Sequence, residues 1–399
     1  MKAIIKPSAA HGAVAAPPSK SEAHRALICG ALSGGSVVSN IALSDDIKAT
    51  LGGLAALGAD IEISGNRVNI GGIDINNMPV ALIDAHESGS TLRFLIPLAL
   101  LSDKQAAFSG TKRLFSRDIS VYAKIANEQG LLFDKTDNSL TVCGKLCSGK
   151  FSLRGDISSQ FFSGLMFALP LLNGDSTITV TTPLESAPYA NMTVDILSRF
   201  GVSVNFAENR FYIPGGQKYG GCVFNVSGDY SNAAFLDAFN LFGGNVTVAG
   251  LSENTVQGDS VYKEYYSQIK NGGTFDLSNC PDLAPVMFAL AAEFGGAHFT
   301  GTARLKLKES DRAAVMQEEL EKFGGEIILG DNEVTVKKTV LHAPIEPLCS
   351  HNDHRVAMAL SVLASRYGGV ITEAQAVNKS YPGFYSDIKK LGIEVEFDD

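Results

Sequence analysis

The sequence has no tryptophan, few cysteines and no long uninterrupted apolar segment. Its longest apolar stretches, 95–101 and 161–172, are shorter than the roughly 18 residues that a membrane-spanning helix requires. The N-terminal sequence is interrupted by Lys6, Pro7 and His11 before the apolar core of a signal peptide can form. Since 45% of the 399 residues are hydrophobic and no low-complexity tract occurs, the composition excludes a disordered chain. We therefore expect a soluble, cytoplasmic protein of two or three domains.

The six cysteines are not spaced like metal ligands or redox pairs. No C-x-x-C pair occurs, and Cys143 and Cys147 have no second pair nearby. Cys349 and His351 form an isolated couple, whereas a structural zinc site needs four converging ligands. The sequence therefore predicts reduced thiols and no metal site.

Basic residues are outnumbered, with 33 Lys and Arg against 42 Asp and Glu. The resulting formal charge of −9 argues against a broad surface for nucleic acid or anionic membranes, because both need a positive field. A local basic pocket remains compatible with this balance. We expect a monomer that binds small-molecule substrates.

A pattern of amphipathic helix, glycine and short alternating strand occurs six times. Its glycines are Gly58, Gly130, Gly201, Gly272, Gly324 and Gly392. A glycine suits the left-handed position just after a helix, and alternation suits a half-buried strand. Each unit also opens with a polar turn before an apolar helix, which predicts six units of two helices and three or four strands. Three units form each of two domains, with a boundary near 226–228. The pattern argues against a Rossmann fold, since no G-x-G-x-x-G follows a strand.

The openings of the first units combine cations with hydroxyl groups. PPSKSEAHR places Lys20, Ser21 and Arg25 at the start of a helix, where free N–H groups attract anions. SSQF places Ser158, Ser159 and Gln160 before a helix that must be buried. Taken alone, PPSKSEAHR is better explained as a capped surface helix, whereas in SSQF capping explains one serine better than all three residues.

Four further segments show similar chemistry. ESGSTLRF puts Gly89 at a helix start with Arg93 in its first turn, and KRLFSRD is a charged loop with Lys112, Arg113 and Arg117. KESDR groups Lys308, Glu309 and Arg312, with Lys308 and Arg312 on one helical face, where the two like charges are mildly destabilising unless an anion lies between them. NDHR sets Arg355 at the positive end of a helix dipole, which requires compensation by Asp353 or a ligand. Asp282 begins a buried helix and Lys379 lies in the loop NKSYPGF.

Cations and hydroxyls at equivalent helix ends in both halves predict a polyanionic small ligand in an interdomain cleft. The segments PPSKSEAHR, SSQF, KESDR and NDHR, in this order, resemble the signatures of the EPSP synthase family of enolpyruvyl transferases, and the resemblance spans essentially the whole chain. It implies an α/β fold (α+β in some schemes) with two domains, each an inside-out α/β barrel of three βαβαββ units. The domains would be 1–19 plus 227–399 and 20–226, with the active site in the cleft between them. The implied reaction transfers the enolpyruvyl group of phosphoenolpyruvate to the 5-hydroxyl of shikimate 3-phosphate without a cofactor.

The resemblance also implies roles for individual residues. Shikimate 3-phosphate would be bound by Lys20, Ser21, Arg25, Ser158, Ser159, Gln160, Ser186, Tyr189, Asp282 and Lys308. Phosphoenolpyruvate would be bound by Lys20, Gly89, Arg117, Gln160, Arg312, Arg355 and Lys379. Further candidates are Arg93, Asp353 and His354. Asp282 would be the base for the 5-hydroxyl, and either Lys20 or Glu309 would move the proton at C3 of phosphoenolpyruvate.

The chain departs from the family where GNAGTAxRP is usual and ESGSTLRF stands here, so Glu87, Ser88 and Phe94 differ. The family's Arg-Pro pair is Arg117-Asp118 in this sequence. Gly89 is retained where alanine confers glyphosate tolerance in the family, which predicts a glyphosate-sensitive enzyme.

Two alternatives remain. UDP-N-acetylglucosamine enolpyruvyl transferase shares the fold and the donor, but the reactive cysteine usual in its mobile loop is missing from SGTKRLFSRD. A non-catalytic anion-binding repeat scaffold predicts the loss of at least one of four residues. All four are present: Lys20, Asp282, Glu309 and Lys379.

Overall fold

The computed structural model describes residues 1–398, which form a mixed α/β structure. The strands are β1 (Lys2–Ile5), β2 (His11–Ala15), β3 (Ser36–Ser39), β4 (Asp60–Ser64), β5 (Arg67–Gly71), β6 (Ala81–Asp84), β7 (Ala106–Ser109), β8 (Leu132–Lys135), β9 (Ser139–Cys143), β10 (Lys150–Leu153), β11 (Ser176–Val180), β12 (Asn205–Ala207), β13 (Arg210–Ile213), β14 (Val223–Asn225), β15 (Asn245–Ala249), β16 (Thr274–Asp276), β17 (Ala297–Thr300), β18 (Glu326–Leu329), β19 (Glu333–Lys337), β20 (Leu348–Cys349), β21 (Gly369–Thr372) and β22 (Val395–Asp398).

The helices connect these strands. They are α1 (Lys20–Leu32), α2 (Asp45–Ala56), α3 (Gly89–Ala99), α4 (Lys112–Ser116), α5 (Ser120–Gln129), α6 (Gln160–Ala168), α7 (Ala187–Arg199), α8 (Tyr230–Ala238), α9 (Tyr262–Gln268), α10 (Ala284–Glu293), α11 (Arg312–Glu321), α12 (His354–Tyr367) and α13 (Phe384–Lys390). Three short 3-10 helices used below span Pro281–Leu283, Ala303–Leu307 and Ala374–Lys379. Among the described residues no helix is long and apolar enough to cross a bilayer.

The strands form six separate sheets, five of them with one common pattern. In each of the five, a parallel pair is extended by two antiparallel strands, giving the orders β14-β3-β5-β4, β6-β7-β9-β8, β10-β11-β13-β12, β16-β17-β19-β18 and β20-β21-β1-β22. The sixth sheet contains the parallel pair β15-β2 alone. All six sheets are open, so we find no closed barrel within residues 1–398.

The glycine pattern is confirmed in its conformation. All six glycines have positive φ, for example +68° at Gly130, where the chain leaves α5. Five of them precede an outer antiparallel strand such as β8, whereas Gly272 precedes β16, the first strand of its sheet. This difference explains why the interval between Gly272 and Gly324 is the shortest: the two antiparallel strands that follow glycines such as Gly130 are missing after Gly272, and the next sheet begins at once.

The chain divides into two compact units, each with its own hydrophobic core. The contiguous unit spans Pro18–Ser227, and the split unit combines Met1–Pro17 with the chain from Gly228 onward. Three helices are buried almost all round in each unit: α1, α3 and α6 in the contiguous unit, and α8, α10 and α12 in the split unit. Strands such as β10 instead bury alternate residues, so each sheet packs one face on the core and exposes the other. Because these helices are tightly packed in the core, the polar side chains in their first turns are held in fixed positions.

Candidate active site

The start of α1 forms as the sequence predicts. Ser19 caps the helix and accepts a hydrogen bond from the backbone N–H of Glu22 at 3.4 Å. Lys20, the first helical residue, pairs through Nζ with Oδ2 of Asp46 at 2.8 Å. Both side chains of this pair are largely buried, and Asp46 lies in the first turn of α2. A carboxylate from a neighbouring helix therefore fixes the ammonium group, a contact that the sequence analysis missed.

Arg25 lies one turn further along α1 and is buried among neutral oxygens. Its Nε donates to Oγ1 of Thr193 at 2.7 Å, and Nη2 donates to Ser163 Oγ and to the carbonyl of Tyr189. Nη1 donates to the carbonyl of Ser21 at 2.8 Å. Burial lowers the pKa of Arg25 to about 10, which leaves the guanidinium charged at neutral pH. Since its partners are uncharged, its positive charge remains available to attract an anion.

The SSQF segment is held to the start of α3 by Gln160. The amide oxygen of Gln160 accepts from Arg93 Nη1 at 2.8 Å, and its Nε2 donates to Ser90 Oγ at 2.9 Å. Ser158 Oγ accepts from the Gln160 N–H, whereas Ser159 makes no side-chain cap. Of the two serines, Ser158 alone therefore accepts a hydrogen bond from the N–H that begins α6.

Gly89 opens α3 and lies directly beside Arg117. A Cβ atom added at Gly89 would lie 2.6 Å from Nη1 of Arg117 and 2.9 Å from its Cζ. The buried Nε of Arg117 has no hydrogen-bond partner. Two predictions need correction here: Arg93 lies one turn into α3, and the KRLFSRD segment forms the short helix α4, with Arg117 as its C-terminal cap, instead of a loop.

Ser186 and Tyr189 mark the start of α7. Ser186 is buried and has φ of +54°, a left-handed conformation that is unusual for a residue other than glycine. The Tyr189 carbonyl accepts the hydrogen bond from the Arg25 guanidinium described above. These contacts bring α1, α6 and α7 together, so the predicted residues of the contiguous unit lie at the starts of adjoining helices.

In the split unit, the carboxylate of Asp282 is the centre of a cation cluster. Its Oδ1 accepts from Arg312 Nη1 at 2.7 Å and from Lys308 Nζ at 3.1 Å, and its Oδ2 contacts Arg355 Nη2 at 3.4 Å. Burial alone would raise the pKa of Asp282, but the three cations hold it well below the ordinary range. Its side chain is still 19% exposed. Asp282 is therefore an ionised carboxylate with access to a ligand.

Arg312 connects Asp282 to two further carboxylates. Its Nε donates to Asp353 Oδ2 and its Nη2 to Glu309 Oε2, both at 2.9 Å. Arg312 is 1% exposed and Asp353 is fully buried. Although burial opposes the charge, the three carboxylates raise the pKa of Arg312 well above its ordinary value. The ion network thus contains as many acids as bases.

Several predictions for the split unit change in detail. Lys308 follows the 3-10 helix Ala303–Leu307 and is not on α11 with Arg312; the anion between these two cations is Asp282. Arg355 opens α12 as predicted, but its charge is compensated by Asp282 and its Nη1 donates to Asn232, while Asp353 caps the helix and pairs with Arg312. His354 is buried beside Asp353.

Lys379 is also placed differently from its prediction. It ends the 3-10 helix Ala374–Lys379 instead of lying in a loop. Its Nζ donates to the carbonyl of Asn352 at 2.5 Å, which places it against the segment that leads into α12. The segment that carries Asp353 and Arg355 is thus contacted from α11 and from Lys379.

Three residues could hold a metal ion, since the side-chain ligand atoms of Glu318, Glu319 and His351 lie within 4.8 Å of one another. Glu319 already accepts from Lys322 Nζ at 2.9 Å and from the Cys349 N–H at 2.8 Å. These bonds satisfy the buried carboxylate without an ion. Its visible role is to fix the chain before Asp353.

His24 begins a chain of hydrogen bonds that joins three helices. Its Nδ1 contacts Thr50 Oγ1 at 2.8 Å, Thr50 contacts Thr91 Oγ1 at 2.7 Å, and Thr91 donates to Ser88 Oγ at 2.8 Å. Burial, together with the charges of Lys20 and Arg25, holds the pKa of His24 well below its ordinary value. The folded protein therefore keeps this imidazole neutral.

This histidine makes stability dependent on pH. In the unfolded chain the imidazole takes up a proton below about pH 6.5, which the folded chain does not. Unfolding then binds a proton, so the free energy of unfolding should fall as pH decreases from 7 to 5, by up to about 1.4 kcal/mol per pH unit. Urea unfolding at several pH values measures this slope, and His24→Asn should reduce it. The exposed His11 supplies the control, since His11→Asn should retain the wild-type slope; equal slopes for all three proteins would contradict the assignment.

A model of the EPSP synthase (3-phosphoshikimate 1-carboxyvinyltransferase) family matches residues 4–388. The chain is 40% identical to the 3-phosphoshikimate 1-carboxyvinyltransferase of Clostridium kluyveri, over 98% of this chain and 97% of the relative. The protein of the same name from Clostridioides difficile is 36% identical, with 98% of each chain covered. The residues at the helix starts of the contiguous unit and the cation cluster around Asp282 both lie within the matched range.

The fold resembles that of a solved EPSP synthase from Acinetobacter baumannii. The two structures have a TM-score of 0.81, each chain is covered completely, and 22% of the residues are identical. At this identity the similarity establishes the fold alone.

Proposed function

The chain belongs to the EPSP synthase family, and on this basis we propose that it transfers the enolpyruvyl group of phosphoenolpyruvate to the 5-hydroxyl of shikimate 3-phosphate. The products are 5-enolpyruvylshikimate 3-phosphate and inorganic phosphate. The reaction belongs to the shikimate pathway of aromatic amino-acid synthesis. The alternative acceptor UDP-N-acetylglucosamine is not favoured, because the relatives are named as 3-phosphoshikimate transferases.

The observation that carries the proposal is the ionised Asp282 carboxylate held by Arg312, Lys308 and Arg355. A base must remove the proton of the 5-hydroxyl while the oxygen bonds to C2 of phosphoenolpyruvate and C3 gains a proton. The resulting intermediate carries phosphate and carboxylate on one carbon, and fixed guanidinium donors stabilise that charge without reorganisation. Loss of phosphate from C2 and of a proton from C3 then completes the transfer.

We propose that the contiguous unit binds most of shikimate 3-phosphate. The supporting contact is the buried Arg25, whose charge is set among neutral oxygens at a helix start. The residues assigned to this substrate are Lys20, Ser21, Arg25, Ser158, Ser159, Gln160, Ser186, Tyr189, Asp282 and Lys308.

Phosphoenolpyruvate is assigned to residues of both clusters. They are Lys20, Gly89, Arg117, Gln160, Arg312, Arg355 and Lys379. The unpartnered Nε of Arg117 supports this assignment, since a carboxylate or phosphate oxygen would satisfy it. Lys20 and Glu309 remain the two candidates for moving the C3 proton. Lys20 is paired with Asp46, and Glu309 is paired with Arg312.

The proposal includes the architecture that the reaction needs. We assign one domain to 1–19 plus 227–399 and the other to 20–226. Each domain would be an inside-out barrel of three repeated units, and residues of both domains would act on one pair of substrates. The enzyme would be a monomer in the cytoplasm. Five sheets of common strand order support the repeats, and β15-β2 is assigned to a shortened unit.

Phosphate release from phosphoenolpyruvate tests the function. Release should require shikimate 3-phosphate and should not occur with UDP-N-acetylglucosamine. Phosphate release with UDP-N-acetylglucosamine but not with shikimate 3-phosphate would assign the chain to the other enolpyruvyl transferase. If no phosphate is released with either acceptor, the result would support the non-catalytic scaffold.

Gly89→Ala should weaken phosphoenolpyruvate binding because the new methyl group would meet the Arg117 guanidinium at 2.6 Å. We expect the KM for phosphoenolpyruvate to rise roughly tenfold, about the loss of one charge-assisted hydrogen bond, and inhibition by glyphosate to weaken as well. The KM for shikimate 3-phosphate should change little.

The same substitution at Gly52 is the matched control. Gly52 also lies within a helix, and a Cβ atom there would meet no atom within 4 Å. Gly52→Ala should therefore keep the wild-type KM and glyphosate response. Equal behaviour of the two variants would show that Arg117 is not positioned through Gly89.

A further inference from the structure

Asn232 is a buried amide that joins two segments of the cation cluster. It lies in the first turn of α8, with its backbone N–H capped by Asp229 at 2.8 Å, and its side chain is inaccessible to solvent. Its Oδ1 accepts from Arg355 Nη1 at 3.1 Å, and its Nδ2 contacts Ser380 Oγ at 3.4 Å.

The orientation of this amide follows from its partner. A guanidinium can only donate hydrogen bonds, so the atom that faces Arg355 must be the oxygen, and the NH2 group then faces Ser380. Ser380 is itself buried and directly follows Lys379. One side chain therefore links the start of α12 to the residue next to the lysine.

Arg355 has few other fixed contacts. Its Nη2 lies 3.4 Å from Asp282 Oδ2, at the long end of a hydrogen bond, and its buried Nε has no hydrogen-bond partner. The bond to Asn232 is the shorter of its two side-chain hydrogen bonds, and its Cζ also lies 5.7 Å from the centroid of the Phe235 ring. Without Asn232, only the long contact with Asp282 and the Phe235 ring would hold the guanidinium.

We propose that Asn232 is a positioning residue that orients Arg355 and the Lys379 segment together for phosphoenolpyruvate. The neutral amide fixes the guanidinium without cancelling its charge, which a carboxylate at this position would do. This inference rests on the proposed function. It predicts an effect on one substrate, whereas a role in folding alone would affect both substrates equally.

Asn232→Leu keeps the size of the side chain and removes both hydrogen bonds. We expect the KM for phosphoenolpyruvate to rise about tenfold or more, since a hydrogen bond to a charged group is lost, with little change in the KM for shikimate 3-phosphate. Asn232→Asp should keep Arg355 in place but pair with its charge, so the KM for phosphoenolpyruvate should rise here too. Ser380→Ala, a milder change, should raise it by a few fold.

Asn240→Leu is the matched control. Asn240 is an exposed amide in the split unit that makes two hydrogen bonds with the backbone of Val246 and none with the cluster residues described above. Its removal should alter thermal stability and leave both KM values unchanged.

Two outcomes would overturn the inference: an unchanged KM for phosphoenolpyruvate in Asn232→Leu and Asn232→Asp, or equal changes in the KM values of both substrates. If Asn232→Leu fails to fold, Ser380→Ala decides by the same criteria. These results differ from failure of the proposed function, in which the wild-type chain itself would release no phosphate.

Discussion

Asp282→Asn is expected to reduce kcat by roughly 100- to 10,000-fold, the range for loss of a positioned general base. The amide cannot accept the proton of the 5-hydroxyl, although it has almost the same shape as the carboxylate. It also leaves Lys308, Arg312 and Arg355 with one negative charge fewer between them. Phosphoenolpyruvate, an anion, should then bind at least as tightly as before, so the loss should be in kcat and not in the KM for phosphoenolpyruvate.

Steady-state kinetics of phosphate release measures this split. The exposed Asp276 provides the matched control, because its carboxylate accepts only from Ser278 in the same unit. Asp276→Asn should retain wild-type turnover. If Asp282→Asn turns over at the wild-type rate while remaining folded, Asp282 is not the base.

The pKa of Asp282 also predicts the acidic limb of activity. Because the three cations hold this pKa well below its ordinary range, the base stays ionised throughout mildly acidic pH. A decline of kcat with an apparent pKa near that of an ordinary aspartate, about 3.9 or higher, would then report another group. The shape of the pH profile thus separates Asp282 from the remaining candidates for proton transfer.

The sequence predicts local features of this fold well because local sequence determines them. The left-handed turn at Gly130 and the first residues of α1, α3, α6 and α12 follow from glycine and from capping residues within a few positions. The partners of side chains are different, since they depend on packing between distant segments. Asp282 and Arg355 are 73 residues apart, and no periodicity relates them.

The dependence on distant partners also explains why the sequence predicts a more basic site than the structure contains. The sequence suggests a basic pocket, because cations at helix starts are unusual and indicate a ligand. Aspartates at the same positions are common capping residues and do not indicate an ion network. In the split unit the three cations Lys308, Arg312 and Arg355 are in fact matched by Asp282, Glu309 and Asp353. The uncompensated charges lie in the contiguous unit, at Arg25 and Arg117. Phosphoenolpyruvate is thus assigned both to cations that are paired with carboxylates, such as Arg312, and to Arg117, whose Nε has no hydrogen-bond partner.

Removal of Arg312 should have the largest effect on stability. The side chain is 1% exposed and contacts three carboxylates, and Asp353 among them is completely buried. Breaking a buried ion pair by removing one partner typically costs about 3–5 kcal/mol, because the other charge is left without compensation. We expect Arg312→Ala to lose about this much free energy of unfolding in urea at pH 7, and to lose turnover as well. Arg199→Ala is the control, since the exposed pair with Asp195 should contribute less than about 1 kcal/mol.

The destabilisation by Arg312→Ala should depend on pH in a way that a cavity would not. In the wild-type protein the pKa of Asp282 is depressed, so its contribution to stability is present above the pKa of the unfolded chain and is lost as pH falls through the folded value. In the variant, Asp282 loses a cation, which raises its folded pKa, and protonation then relieves the uncompensated charge. The difference in free energy of unfolding between wild type and variant should therefore shrink from pH 7 to pH 4. A difference that stays constant over this range would indicate lost packing instead of unpaired carboxylates, and Arg312 would then be a structural residue whose charge is incidental.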